Sequence, residues 1–560
     1  MEKHLIALQL SHLLGEEYDR EWVYNLLETP KQSDHGDIAF PCFQLSKILR
    51  KSPAAIAEEL ASRLKHETIE KVQTAGGYLN IFLNQTFIAE HTLKQILSEK
   101  SSYGSNTNGK NKTVVLDMSA PNIAKPFSMG HLRSTVIGNA LANLAEKSGY
   151  TTVKINYIGD YGTQFGKLLA AYKRWGKEEL VKADPLTELT RIYVQFHNEA
   201  KEDPRLIGEG REWFKKLENQ DEEAVKLWKW FKEESLEEFE NIYRLLGVSF
   251  DLTRGEAYYN DKMEETIQLL IEKDLLTESE GAQVVRLDEE GMPPCLIKKS
   301  NGTSIYATRD LTAAVDRYQN YQFDEALYVV GHEQSLHFQQ VKHVLSKMGF
   351  TWADSVKHIS FGMMLQGGKK MSTRQGKTVL LKQALEEAVA QAQSNIEAKN
   401  PSLNNKEETT KQVGVGAVIF HDLKHDRRND VEFSLDDMLT FEGNTAPYLQ
   451  YAYVRTCSIL NKGTFELKNA AASLNDEDAW PLIKQLRLFP ETVKQAYSSY
   501  DPSKLAKYLL DTAKSFNQYY ASKRILAEDH LNQRLTLIFC FSIVLKEGLS
   551  LLGIETPEEM

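Results

Sequence analysis

The sequence predicts an α/β protein with a parallel-sheet core, a small α/β unit before it and an all-helical C-terminal third. Three observations carry this expectation. Short apolar runs at Thr113–Asp117, 152–157 and 326–330 read as strands, with loops and helical patterns between them. That order suits a parallel sheet with a site at a strand's carboxyl end. The first hundred residues mix helical and strand patterns, whereas from about Thr440 onward apolar residues recur at helical spacing with almost no strand signal.

Taken in order, the elements follow from local chemistry. Residues 54–64 (A-A-I-A-E-E-L-A-S-R-L) repeat apolar residues at helical spacing, and Ser52-Pro53 suits a helix start. Gly76-Gly77 turns the chain into Tyr78–Leu83, a strand. Residues 101–112, rich in Ser, Asn and Gly, read as a linker. The strand Thr113–Asp117 leads into segment 122–133 and then a helix over roughly 134–148. Residues 165–246 read as helical and charged, with Val225, Trp228, Phe231, Leu236, Phe239, Ile242 and Leu246 as one apolar stripe on one or two helices. Helices are expected over 448–460, 503–526 and 532–552. The expected domains are 1–110, 111–390 with a helical insertion over about 165–250, a connecting segment 391–440, and 441–560.

Composition narrows the class. The chain has 560 residues, 42% apolar and 26% charged, as in ordinary soluble globular proteins. No apolar run approaches the roughly 20 residues that cross a bilayer, and the start Met1-Glu2-Lys3-His4-Leu5 lacks a signal-peptide pattern. Cysteines at 42, 295, 457 and 540 form neither a disulfide framework nor a metal ladder, so a reducing cytoplasm is expected. The net charge of −11 does not advertise a nucleic-acid binder. Its distribution is uneven: residues 176–245 hold 18 Asp/Glu against 12 Lys/Arg, whereas residues 441–560 hold 14 against 13. The C-terminal third therefore leaves room for a locally basic face.

Two segments carry chemistry. In 122–133 (N-I-A-K-P-F-S-M-G-H-L-R), Pro126 and Gly130 punctuate a loop before a helix. A helix N-terminus attracts phosphate through its free N–H groups and dipole. Ser128 and His131 can donate into that space and Lys125 adds a charge. Preorganised donors there would stabilise charge developing on a phosphate under attack. Alone, a Gly-His pair reads as a capped helix. The second segment, 361–381, is Gly-rich and basic, with Lys369, Lys370, Arg374 and Lys377 inside nine positions. Glycines let such a loop close over a triphosphate, and the cations can hold the departing pyrophosphate. Alone, it reads as a solvated basic loop.

Together the segments point to a family. The first resembles the H-I-G-H motif of class I aminoacyl-tRNA synthetases, and K-M-S-T-R at 370–374 resembles their K-M-S-K-S loop. The longer string S-A-P-N-I-A-K-P-F-x-x-G-H-L-R-S-T resembles the arginyl-tRNA synthetase version. G-D-Y-G-T-Q-F-G at 159–166, Y-A-T-R-D-L at 306–311, E-Q-S-L-H-F-Q-Q at 333–340 and E-G-N-T-A-P-Y-L-Q-Y at 442–451 resemble that family too.

The resemblance implies a Rossmann-type catalytic core, an N-terminal domain touching the tRNA elbow and a helical anticodon-binding domain. It implies that arginine and ATP form arginyl-adenylate, in a step that needs bound tRNA, and that the arginyl group then passes to the terminal adenosine of tRNA(Arg). Catalytic roles are implied for Lys125, Ser128, His131, Lys370 and Arg374, with ATP contacts at Gly130, His131, Lys370, Met371 and Ser372. Arginine contacts are implied at Asn122, Glu256, Tyr306, Asp310 and Gln334. The physical sense is direct: a guanidinium is a planar fork of donors, and a carboxylate such as Asp310 accepts two in parallel, which a lysine ammonium cannot match. ATP is expected with Mg²⁺ as substrate, with no tightly bound cofactor and no protein metal cage, in a monomer without membrane contact. In the last domain Tyr448, Tyr519, Tyr520, Lys523 and Arg524, with Phe516 nearby, are candidates for stacking anticodon bases and holding phosphates; at helical spacing the aromatics also suit a core.

Two positions depart from the family pattern. Ser128 stands where the motif's first histidine is expected, and Thr373-Arg374 follow Ser372 in place of the last lysine. Two other classes fit part of the pattern: another H-x-G-H nucleotidyltransferase, and an RNA-binding paralogue without catalysis. The helical C-terminal third and Asp310 speak against the first, and only Ser128 favours the second.

Overall fold

The computed structural model describes residues 2–560 except Glu16, Lys31, 124–126, 300–305, 371–379 and Asn475. The chain divides into two compact units. One holds residues 1–103, 458–487 and 515–543; the other holds 104–457, 488–514 and 544–560.

In the first unit an antiparallel sheet places Tyr78–Leu83 between Ile38–Pro41 and Ile69–Ala75. Gly76 and Gly77 make the hairpin turn with φ of 56° and 91°. Two successive positive φ values define the turn type that matches strand twist, and glycine adopts it without strain. The expected helix runs Pro53–Arg63; Ser52 caps it by accepting from Ala55 N–H at 3.2 Å, and proline holds the first helical position. Its Ile56, Ala57 and Leu60 pack with Leu79 and Ile81 in the core.

The second unit is built on five parallel strands. Their order across the sheet is Val356–His358, Glu325–Tyr328, Thr113–Asp117, Thr151–Ile158 and Leu252–Gly255. Chain order therefore reverses at Thr113–Asp117, and a crevice opens there at the carboxyl ends of the strands. The strand expected over 326–330 ends at Tyr328, although Val329 N–H still reaches Asp117 O at 2.9 Å. Leu252–Gly255 and Val356–His358 escaped the sequence reading because four and three residues are too few to show a period.

The helix expected over 134–148 starts earlier, at Met129, and runs to Lys147. Gly130 and His131 therefore lie in its first turn, not in a loop before it. The apolar stripe falls on one 25-residue helix, Glu222–Leu246. Phe231, Phe239, Ile242 and Leu246 are buried, while Val225, Trp228 and Leu236 are half-buried. Of the expected C-terminal helices, the observed bounds are Ala446–Lys462, Ser503–Ser522 and Leu531–Leu551. A fourth, Trp480–Ser498, was not anticipated; Pro490 inside it interrupts the sequence signal. Among the described residues no helix is long and apolar enough to cross a membrane.

Candidate active site

The first segment enters the crevice where chain order reverses. A cavity of about 270 Å³ opens there, lined by Ser119, Ser128, Gly130, His131, Glu333 and Met364, among others. Ser119 and Ala120 leave the central strand with φ of 71° and 50°. Non-glycine residues hold that conformation only when their surroundings fix it. Here Ser134 Oγ accepts from Ser119 N–H at 2.8 Å and donates to Val329 O at 2.6 Å, joining the ends of the two central strands. Ser119 Oγ is held at 2.8 Å by both Thr135 Oγ1 and the Tyr243 hydroxyl. The sequence reading passed over Ser119, Ser134 and Thr135; the short, small-residue S-A-P-N turn after a strand was the available signal.

His131 is fixed by the backbone before it. Ser128 N–H donates to His131 Nδ1 at 3.1 Å, with Ser128 Oγ 3.2 Å from the same nitrogen. A backbone N–H can only donate, so Nδ1 is the acceptor and a neutral ring carries its proton on Nε2. A Cβ at Gly130 would meet nothing closer than Ser128 Oγ at 3.7 Å, which leaves that face of the helix start bare. The two segments also join: Ser128 bridges Leu380, and Leu381 N–H donates to Phe127 O at 2.9 Å. Lys369 and Lys370 form the short strand that leads towards the basic loop. Lys125, Met371, Ser372, Arg374 and Lys377 lie outside the described residues.

The residues expected to bind arginine lie on four segments of the chain. Asn122 lies beside Gly159, where a Cβ would stand 2.3 Å from Asn122 Oδ1, and that oxygen accepts from Gln164 Nε2 at 2.9 Å. The G-D-Y-G-T-Q-F-G stretch thus frames Asn122. Its buried Asp160 accepts from Ala257 N–H at 2.9 Å and pairs with Lys232 at 2.7 Å, fixing the short helix that Glu256 begins. Tyr306 and Asp310 stand one turn apart on Tyr306–Tyr321, with Tyr306 65% exposed. Burial, then the charges of Asp310 and Glu256, push the buried Tyr157 phenol well up, and burial followed by Glu256 raises Tyr306. Glu256, Asp310, Tyr157 and Tyr306 therefore form one electrostatic neighbourhood. Gln334 is exposed on His332–Gln334, beside the Glu333 that lines the cavity. His337, which the sequence reading left aside, places Nε2 2.5 Å from Asp310 Oδ2. It sits in the E-Q-S-L-H stretch, so the signal was present.

Two buried ion pairs brace this floor. Arg317 meets Asp117 at 2.8 Å between the rings of Tyr157 and Tyr328. Burial lifts the Asp117 carboxyl to about 6, against the pull of Arg317. Arg133, on the helix carrying His131, meets Asp422 at 2.7 Å with both side chains buried. Breaking such a pair from one side leaves a buried charge unmatched.

The C-terminal candidates separate by burial. Phe516 and Tyr519 are core residues, 0% and 1% exposed. Phe516 stacks on Phe541 at 4.3 Å, and the Tyr519 hydroxyl bonds Asp476 Oδ2 at 3.2 Å. Base stacking by Tyr519 is therefore corrected: its faces are covered. Tyr520 is 41% exposed, and Lys523 is engaged by Asp476 and Asp478. Tyr448, near the start of Ala446–Lys462, donates its backbone N–H to Thr445 Oγ1 at 3.3 Å. Among the described residues no acid, His and Cys cluster could hold a metal ion, and the four cysteines are free.

Known proteins resemble this chain along its whole length. Residues 92–435 match the family model "tRNA synthetases class I (R), catalytic domain". Residues 449–560 match "DALR anticodon binding domain", and 3–83 match "Arginyl tRNA synthetase N terminal domain". Arginine--tRNA ligase 2 of Bacillus anthracis is 56% identical over 559 residues, covering 100% of both chains. Arginine--tRNA ligase 1 of Bacillus cereus is likewise 56% identical over 559 residues, with 100% of each covered. The Thermus thermophilus arginyl-tRNA synthetase structure aligns over 100% of both chains with a TM-score of 0.79 at 26% identity. The chain belongs to the arginyl-tRNA synthetase family of class I aminoacyl-tRNA synthetases.

Proposed function

We propose that the chain activates arginine with ATP, supplied with Mg²⁺ as substrate, and transfers the arginyl group to the 3′-terminal adenosine of tRNA(Arg). One observation carries the chemical assignment: the helix N-terminus bearing His131 opens into the crevice at the sheet's point of reversal, as a phosphate site requires. Residues 1–110 contact the tRNA elbow, 111–390 carry the chemistry, 391–440 connect and 441–560 read the anticodon.

The roles follow from geometry and residue type. His131, its Nδ1 accepting from backbone, presents Nε2–H to the α-phosphate as charge develops during attack by the arginine carboxylate. Gly130 leaves that approach bare. Ser128 orients His131 through its own N–H, a contact any residue but proline would supply at 128, so the missing histidine is no argument for lost catalysis. Lys125, Lys370, Met371, Ser372 and Arg374 hold the triphosphate. Asn122 and Gln334 take the backbone end of arginine, and Glu256, Tyr306 and Asp310 take its guanidinium. In the arginine complex, His337 gives way or shares Asp310 with the ligand.

The test is ATP–pyrophosphate exchange with purified chain, arginine and tRNA. Exchange is expected only when both arginine and tRNA are present. No exchange with intact tRNA rejects the reading, and exchange with another amino acid instead of arginine moves the chain to a different substrate.

A further inference from the structure

Gly367 and Gly368 form the tip of a hairpin that pairs Met364–Gln366 with Lys369–Lys370. Both have positive φ, 59° and 70°, and a Cβ on either would meet nothing within 4 Å. Such a turn needs no side-chain support. It nevertheless has one: Gly367 N–H donates to Glu432 Oε1, and Gly368 N–H donates to Glu432 Oε2 at 3.2 Å. Both donors of the tip thus converge on one carboxylate.

Glu432 is itself anchored on two sides. Val431–Glu432 runs parallel to Met364–Gln366, with Leu365 opposite Glu432. The Glu432 carbonyl accepts from His421 Nε2 at 2.8 Å. The loop before it accepts from the helix that carries His131: Arg133 donates to Asn429 O at 2.8 Å and Arg427 O at 3.3 Å while paired to Asp422. Asp430 Oδ1 accepts from Met363 N–H at 2.6 Å, at the base of the same hairpin. A continuous set of bonds therefore runs from the first segment's helix, through Arg133 and the 427–432 loop, to the tip of the hairpin within the second segment.

We propose that Glu432 is a positioning residue for ATP: it fixes the hairpin bearing Lys369 and Lys370 in register with the helix bearing His131. The inference rests on the adenylation reading. A carboxylate gripping two N–H groups is a charge-assisted contact, stronger than a neutral pair and directional. Losing it frees the hairpin to tilt on its strand pair without unfolding anything, since the ladder bonds to Val431–Glu432 are backbone.

Glu432→Ala and Glu432→Gln variants test this in the full chain. In pyrophosphate exchange with tRNA and saturating arginine, Glu432→Ala should raise the KM for MgATP roughly tenfold or more, since hydrogen bonds to a charged group are lost. The KM for arginine and the unfolding midpoint should hold. Glu432→Gln keeps one acceptor oxygen without the charge and should recover part of the loss. An unchanged KM for MgATP overturns the proposal, as does an equal rise for arginine or a Gln variant as poor as Ala. Amide hydrogen exchange over residues 362–370 tests the latch without activity: faster exchange in Glu432→Ala is expected, and equal exchange overturns it. Wild-type protein with a protected hairpin but no exchange activity would fail the adenylation reading alone.

Discussion

Two clusters in this molecule use nearly the same side chains to opposite ends. Around Tyr519, the acid Asp476 meets Lys523, Arg534 and a tyrosine hydroxyl within one closed network, and its side chain is 8% exposed. Around Tyr157, the acids Glu256 and Asp310 converge near Tyr306, and Tyr306 is 65% exposed. The first cluster matches its charges internally and so contributes order. The second gathers two carboxylates beside an exposed phenol, with His337 holding one of them. Composition does not separate the two; burial of the tyrosine does, at 1% exposure for Tyr519 against 65% for Tyr306.

The sharpest way to break this contrast is at the reacting end. His131→Ala should slow arginine activation by about 10²–10³, the worth of one preorganised donor, with arginine affinity nearly unchanged; single-turnover rates check it. Asp310→Asn should weaken arginine binding by roughly 10–100-fold, as expected for a hydrogen bond to a charged group, while ATP binding persists. Equal loss of both ligands would merge the two clusters into one structural type.

Acid should act on the frame before the cleft. Burial holds His421 neutral, down at about 4. The unfolded chain takes up that proton first, so stability is complete above about 6.5. It should drain as pH falls towards 4, and His421→Gln should flatten the slope of unfolding free energy against pH. In the closed cluster, Tyr519→Phe should cost about 1 kcal/mol of stability and leave tRNA affinity alone, whereas Tyr520→Ala should weaken tRNA binding about fivefold or more if it stacks a base. The smallest effect belongs to Ser128→Ala: under about threefold in activation rate, because the backbone N–H to His131 remains and only neutral hydroxyl contacts are lost.

Most of the framework was legible because it is local. Thr113–Asp117 and Tyr78–Leu83 fall where their apolar runs put them, and Ser52-Pro53 announced its helix. The start of the helix at Met129 was misread, since its capping lies in a bond from Ser128 backbone to a side chain that the family motif marks for chemistry. His337, Asp160 and Glu432 were passed over for another reason: each acts on a partner 27 or more positions away. Tyr519 and Tyr520 show the limit most plainly. They are adjacent and chemically identical, and only packing separates a core residue from an exposed one.

The central claim is that Glu256 and Asp310 read a guanidinium, and the most direct test is charging with arginine against citrulline, its neutral isostere. The proposal predicts that kcat/KM for arginine exceeds that for citrulline by about 10⁴ or more, because carboxylates built to pair with a guanidinium are left unmatched by a neutral analogue. Comparable values for the two would contradict the account.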